Sequence, residues 1–285
     1  MSPRNPHADT LTTAPGGRSA LRMERRVAHP PAAVWAALTR PERLARWFPC
    51  EVRAEPRPGA PMTFAFPQEG APAVEMTGTV TDAEEPTLYA FTWGEDQLRW
   101  EVAPDADTGG SLLTLVHTFA DRFGAPSFAA AWHLCVSALS EHLSGAAPDV
   151  APDTGELHEA YLEQFDLGGG ELTADGAVRF ERQLVRPAAA VWAALTEGDE
   201  VVAGAEAPEG FVADGVLAGA VTEVRAPDVV AYEVPGGGAV RWELRPGTGY
   251  GPRLLLTHTA PADPQTARAA WHAHVERLAG RLLET

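Results

Sequence analysis

The sequence contains no lysine. All 22 basic residues of the 285 are arginine, against 39 acidic ones, for a formal net charge of −17. So acidic a chain repels a phosphate backbone and an anionic bilayer surface, which argues against nucleic-acid and membrane partners. There are only two cysteines, Cys50 and Cys135, too few for a disulfide framework. Cys135 lies in an apolar helical stretch and reads as a small buried hydrophobe. Residues 1–20 hold no apolar core of a secretory signal, and no apolar run approaches the ~18 residues of a membrane span. The expectation is a cytoplasmic protein. Also missing are His-Glu-x-x-His, Cys-x-x-Cys, an acidic calcium loop and Gly-x-Ser-x-Gly, so neither a metal nor another cofactor is expected, and no hydrolase elbow.

One stretch is present twice. Residues 24–39 (ERRVAHPPAAVWAALT) return as residues 181–196 (ERQLVRPAAAVWAALT), 157 positions later, with VWAALT identical within a shared run of eight. A period this long implies a duplicated domain and not a solenoid. Later landmarks recur at smaller offsets: Arg99-Trp100-Glu101 as Arg241-Trp242-Glu243, His117-Thr118 as His258-Thr259, Trp132-His133 as Trp271-His272. The second copy is therefore shorter. Most of the loss falls where the first carries a proline-opened helix, residues 41–48, with Leu44, Trp47 and Phe48 on one face.

The remaining pattern is α+β. A strand over residues 21–28 precedes the helix of Val34, Trp35 and Leu38. Period-two alternation then marks strands through Phe64 and Phe66, through residues 74–82, through Tyr89, Phe91 and Trp93, through Leu98 and Trp100, and through Leu115, His117 and Phe119. Gly78 interrupts one of them, where a bulge or a close backbone approach is expected. From about residue 126 to 143 the period becomes helical, with Phe128, Ala131, Trp132, Cys135, Val136 and Leu139 on one face, and Gly145 stops it. The reading is a disordered tail over 1–19, a first domain over 20–145, a linker over 146–176 with a short helix allowed at 157–165, and a shortened second domain over 177–285. Gly236-Gly237-Gly238 reads as a hairpin turn.

The order strand, helix, short helix, antiparallel strands, long final helix resembles the helix-grip fold of the START-like (SRPBCC) superfamily. Within it the chain is similar to the activators of the heat-shock-protein-90 ATPase. Val34-Trp35-x-Ala37-Leu38-Thr39, Trp47-Phe48, Gly78-Thr79-Val80, Leu113-Thr114-Leu115 with His117, and Trp132 carry the likeness. The resemblance implies two tandem domains, each a curved antiparallel sheet around its last helix, with an apolar cavity between them in the first. It also implies a role in binding a hydrophobic small molecule, in polyketide cyclase or aromatase chemistry, or in assisting a chaperone.

The candidate ligand-binding residues are Trp47, Phe48, Phe64, Phe66, Tyr89, Phe91, Trp93, Trp100, His117, Phe119 and Trp132. Trp47 and Phe48 share one face of the short helix and the pattern points the others inward, and a concave aromatic lining suits a ligand; the plainer alternative is that the rings fill a solid core. His117 is the candidate acid or base, with Tyr89 and Thr92 as neighbours, against the alternative of a buried histidine bonded to a carbonyl. His133 and His272 read as edge residues, with Glu276 one turn from His272. Arg99 with Glu101 and Arg241 with Glu243 read as solvated outward pairs. Non-catalytic binding in a cavity of the first domain, with the second a structural copy, is the reading carried forward; an enzyme, a chaperone helper and self-association are the alternatives.

Overall fold

The computed structural model describes residues 9–68, 70–145, 153–249 and 251–284. The chain divides into two compact units, with the change-over at Thr154–Gly155. In the first unit the order is β1 (Thr10–Thr13), β2 (Ser19–Val27), α1 (Pro31–Thr39), α2 (Pro41–Leu44), β3 (Glu51–Arg53), β4 (Pro61–Gln68), β5 (Ala71–Glu84), β6 (Leu88–Trp93), β7 (Asp96–Pro104), β8 (Ser111–Phe119) and α3 (Ala125–Ser144). In the second it is α4 (Thr154–Gln164), β9 (Glu171–Leu172), β10 (Val178–Gln183), α5 (Ala188–Thr196), β11 (Val221–Arg225), β12 (Val229–Glu233), β13 (Ala239–Pro246), β14 (Pro252–Thr259) and α6 (Pro264–Glu284). Both are α+β helix-grip domains, each an antiparallel sheet followed by one long helix.

The first sheet runs β1-β2-β8-β7-β6-β5-β4-β3 and the second, read the same way, β9-β10-β14-β13-β12-β11. Pairing repeats to the residue. Leu21 faces His117 and Leu98 faces His117 in the first sheet; Val178 faces His258 and Val240 faces His258 in the second. The shortening takes out more than the aromatic short helix: among the described residues no strand stands in the place of β3, and that of β4 is reduced to one bridge, Glu206↔Ala220. Phe48 precedes Pro49, which disfavours helical backbone at the residue before it, and α2 is a single turn where the pattern predicted two.

Two sequence-based expectations need correction here. Residues 10–13 are not a disordered tail. They form β1, paired antiparallel to β2, and Arg25 clamps the strand by donating from both terminal nitrogens to Asp9 at 2.7 and 2.8 Å. The Asp9 carboxylate is buried and the Arg25 guanidinium nearly so, which makes the two-point pair less screened than a surface ion pair. The stretch 153–176 holds the short helix allowed there, as α4 with Leu157, Tyr161 and Leu162 buried, but it is not linker beyond it: the edge strand β9 repeats the place of β1. Residues 1–8 and 146–152, which the tail and linker also include, lie outside the described residues.

In α3 the buried stripe is Ala129, Trp132, Val136 and Leu139, at steps of three and four. Phe128 and Ala131, expected on that face, lie half-buried and exposed. Gly145 closes the helix at φ 70°, with its N–H on the carbonyls of Glu141 and His142. Gly78 sits where backbone approaches closely: a Cβ there would lie 1.9 Å from the carbonyl oxygen of Thr92 on β6. The three glycines at 236–238 form the turn between β12 and β13, as expected.

Candidate functional site

The eleven candidate residues come together, and they fill the space they were expected to enclose. Trp100 on β7 meets Trp47 edge-on at 5.8 Å and Trp132 of α3 at 5.6 Å. Phe48 packs on Trp93 at 5.6 Å and on Trp132 at 5.8 Å. Phe64 stacks on Trp93 at 4.7 Å, nearly parallel, and on Phe91 at 5.8 Å; Tyr89 continues the chain to Phe91 at 5.3 Å. His117 joins Phe119 at 4.9 Å. The void beside them, bounded by Leu38, Leu44, Val52 and Met62 among others, measures about 10 Å³. That is one water's worth, far below the ~300 Å³ of a small ligand site. The expected interior cavity is therefore corrected to a packed aromatic core. Large rings reached by alternation from several strands meet at van der Waals distance and leave little volume among the described residues. Trp35 of α1 belongs to the same cluster, 5.9 Å from Tyr89, and its identity in both copies was the signal that could have found it.

Two of the eleven, Phe66 and Trp93, are only half-buried. They stand at the open end of the cluster, stacked at 5.8 Å. On the same face, by register, lie Met76 opposite Phe64 and Val74 opposite Phe66. Met76 is 40% and Val74 47% exposed, the two large hydrophobic side chains of the first unit that face solvent among the described residues. The β5–β6 ladder starts only at Val80↔Phe91, with two further bonds, from the Thr79 N–H to the Thr92 hydroxyl and from the Gly94 N–H to the Thr77 carbonyl. Residues Ala71–Met76 thus project past β6, paired on the β4 side alone. The result is an apolar shelf whose floor is the aromatic cluster and whose rim is this hairpin.

His117 is held rather than presented. It is buried; the indole N–H of Trp132 donates to its Nδ1 at 3.1 Å, and its Nε2 lies 3.1 Å from Asp96 Oδ2. Because Nδ1 accepts, the neutral ring carries its proton on Nε2 and donates it to Asp96. Asp96 in turn takes Arg18 at 3.2 Å. The sequence alternative of a carbonyl partner is thus replaced by an indole and a carboxylate. Tyr89 is buried with its phenol pushed up to about 12 by burial, and Thr92 accepts the Thr79 N–H at 3.0 Å, so neither offers a free acid or base. Burial likewise pushes both cysteine thiols up to about 12, which keeps them protonated and poorly nucleophilic at neutral pH.

The second unit repeats the Trp–His bond, Trp271 Nε1 to His258 Nδ1 at 3.1 Å, but not the carboxylate. The position matching Asp96 is Gly238, two residues before the strand partner of the histidine in each sheet, and His258 Nε2 is buried with no acceptor. The aromatic plug expected to be missing there is supplied by Phe211, on a 3-10 turn over Glu209–Phe211. Its ring meets Trp242 at 5.7 Å, and its carbonyl accepts from Trp242 Nε1 and the Tyr232 hydroxyl. His133 is half-buried and His272 exposed. The expected His272–Glu276 pairing gives way to other partners: His272 Nδ1 lies 3.2 Å from the Gly168 carbonyl, while Glu276 pairs with the buried Arg182. Arg99 bonds Glu101 at 2.7 Å on the exposed face, as expected, and Arg241 bonds Glu243 and also Glu223. Among the described residues no group of three acidic, histidine or cysteine side chains could hold a metal ion, and no helix is long and apolar enough to cross a membrane.

No curated protein matches the chain. Among solved structures, a protein of unknown function from Enterococcus faecalis is 22% identical, with a TM-score of 0.46, covering 55% of this chain and 90% of its own. CalU16 from Micromonospora echinospora is 21% identical at a TM-score of 0.43, covering 56% and 94%. A Nitrosomonas europaea protein is 19% identical at 0.40, covering 44% and 94%. The profile of the family described as activator of Hsp90 ATPase homolog 1-like protein matches residues 28–144. That span, 117 of the 285 residues, runs from the lead-in to α1 to the last residue of α3, and over it the first domain of this chain is similar to that family.

Proposed function

We propose that the first domain is a non-catalytic binding module for a hydrophobic small molecule, taken up on the apolar shelf of the β4–β5 hairpin and not in an interior cavity. The observation that carries this is the exposure of Val74 and Met76 on the face that continues into Phe66 and Trp93. Covering a side chain of that size is worth roughly 1.5–3 kcal/mol, so two of them with two half-buried rings make an adequate site for a compact apolar ligand. The engagement of both His117 nitrogens supports binding over turnover. The second domain, shorter and filled by Phe211, serves as a structural copy.

A second reading takes the same shelf as a contact for a protein partner, in line with the activator role in the family's description. The one-sided pairing of Ala71–Met76 favours it, because an extended partner segment could add to that edge. Titration of a library of uncharged apolar metabolites, followed through tryptophan fluorescence, tests the first reading. A ligand is expected whose binding is lost in Val74→Glu/Met76→Glu, while the melting temperature stays within a few degrees. A library without hits, or hits indifferent to the double substitution, would remove the shelf as a small-molecule site. Chaperone capture sensitive to the same substitutions would select the second reading.

A further inference from the structure

The second sheet ends where the first continues. In the first domain β5 is flanked by β4; its counterpart β11 is the last strand of its sheet. Beside it the place of β4 holds the Glu206↔Ala220 bridge and the two backbone bonds that join Gly204 and Ala205 to Val221. From Thr222 to Arg225 no strand runs along the outer side of β11 among the described residues. Such an edge is a template for a further strand, and 222–225 carries neither the proline nor the lysine that blunts edges elsewhere. A bulge between Val221 and Glu223 leaves Glu223–Arg225 as its regular part.

The outer face of the sheet selects what pairs with it. Register sets Arg241, Ala231 and Glu223 in one row across β13, β12 and β11, and Glu243, Val229 and Arg225 in the next. Ala231 is small, so Arg241 reaches over it to Glu223 at 2.6 Å, and Arg225 meets Glu223 at 3.0 Å. One row therefore reaches the edge as a carboxylate and the other as a guanidinium. A second copy of β11 laid antiparallel, Val224 against Val224, puts its Arg225 beside Glu223 and its Glu223 beside Arg225. Each row then continues with the opposite sign, in cross-strand pairs of the favourable kind. On the other face the half-buried Val224 gains an apolar neighbour. A parallel copy in the same register would set like against like. The first sheet ends on the same three residue types, Glu51-Val52-Arg53 of β3, without this alternation: Glu51 shares its row with Ala65 and a second carboxylate, Glu75, and Arg53 with Thr63 and Thr77.

We infer that the chain self-associates through β11, two copies joining their second-domain sheets antiparallel about Val224. The inference concerns the second domain and is independent of the shelf in the first. So short a seam falls below the ~1,200 Å² of a standard interface, and the dimer it makes is weak and reversible.

Sedimentation equilibrium of the full chain, over a concentration series reaching the millimolar range at physiological salt, tests it. Salt at that level screens the repulsion between two chains of charge −17 beyond ~8 Å and affects contacting side chains less. A monomer–dimer equilibrium is expected. Glu223→Arg sets arginine against arginine in both cross-strand pairs, and Arg225→Glu sets glutamate against glutamate; each alone should weaken the dimer about tenfold. A mixture of equal parts of the two variants restores opposite signs in both pairs and should dimerise like the unaltered chain. Glu51→Arg makes the matching change at β3 and should alter nothing. If a variant does not fold, amide-exchange protection of 222–225 that rises with the concentration of the unaltered chain is the readout. A chain that stays monomeric throughout overturns the inference. So does a dimer weakened by Glu51→Arg and not by Glu223→Arg, or a mixture of the two β11 variants no better than either alone.

Discussion

The indole N–H of Trp132 donates to Nδ1 of His117 at 3.1 Å, and Trp271 repeats the bond to His258 at the same distance. Each ties the long final helix to the third strand of its sheet, counted from the β1 or β9 edge. Replacing Trp132 by phenylalanine keeps most of the ring and strands a buried acceptor, a loss of about 1–3 kcal/mol. Trp271→Phe should cost the second domain a similar amount. Urea denaturation of the two variants, with domain-specific tryptophan signals, checks both figures; a null effect in either would mean that the bond is incidental there.

Asp9 reports on the N-terminal strand. Its carboxylate is almost fully buried against Arg25, so Asp9→Ala leaves a guanidinium in a nearly dry site and should cost roughly 3 kcal/mol. Loss of amide-exchange protection at Leu11 and Leu21, which face each other across β1 and β2, is the specific readout. Protection that survives the substitution would show the strand to be held by its ladder alone.

Phe211 is the keystone of the second core. Its ring packs on Trp242 and Trp192, and its backbone carbonyl collects two buried donors. Phe211→Ala should destabilise the second domain by about 3–5 kcal/mol through cavity formation, with the backbone acceptor kept. Differential scanning calorimetry would show the second domain melting earlier while the first is unmoved.

Acid should weaken the second domain selectively. Burial holds the imidazoles of His258 and His274 below the ordinary range, and burial with the nearby Arg182 charge holds His158 at about 4. The unfolded chain therefore binds these protons at a higher pH than the folded one. Stability is full above the unfolded value of about 6.5 and falls as pH drops towards the folded values, by up to about 1.4 kcal/mol per pH unit for each histidine. Burial of Glu159 raises its carboxyl and works in the opposite sense. His258→Asn keeps an acceptor for Trp271 and removes one titrating group, so its stability should depend less steeply on pH between 6.5 and 5. An unchanged slope would exclude His258 from the acid response.

The sheet strands and both long helices were legible because their signals are local. Phe64 and Phe66 alternate, Trp132, Val136 and Leu139 recur at helical steps, and each pattern needs only its own neighbours along the chain. Much of the candidate site was legible for the same reason: every one of its eleven residues belongs to one cluster. Its emptiness was not. Whether Trp47, Phe48, Trp93 and Trp132 surround a hollow or fill it depends on how rings from three different segments interlock, and no single segment encodes that distance. Strand β1 escaped notice because its one inward hydrophobe is Leu11 and its anchor is an ion pair sixteen residues apart. Phe211 escaped because it lies just beyond the shortened stretch, alone among small residues.

By itself the sequence determined the elements, their order and their repetition, since period and punctuation are properties of a chain read one neighbour at a time. Tertiary structure alone decided which faces close and which stay open. It packed the aromatic interior of the first domain, left Val74 and Met76 uncovered, gave His117 a carboxylate and denied one to His258, and made β11 the outer edge of its sheet where the second copy is short. Those outcomes turn on volumes and distances between segments far apart in the chain, which only packing sets.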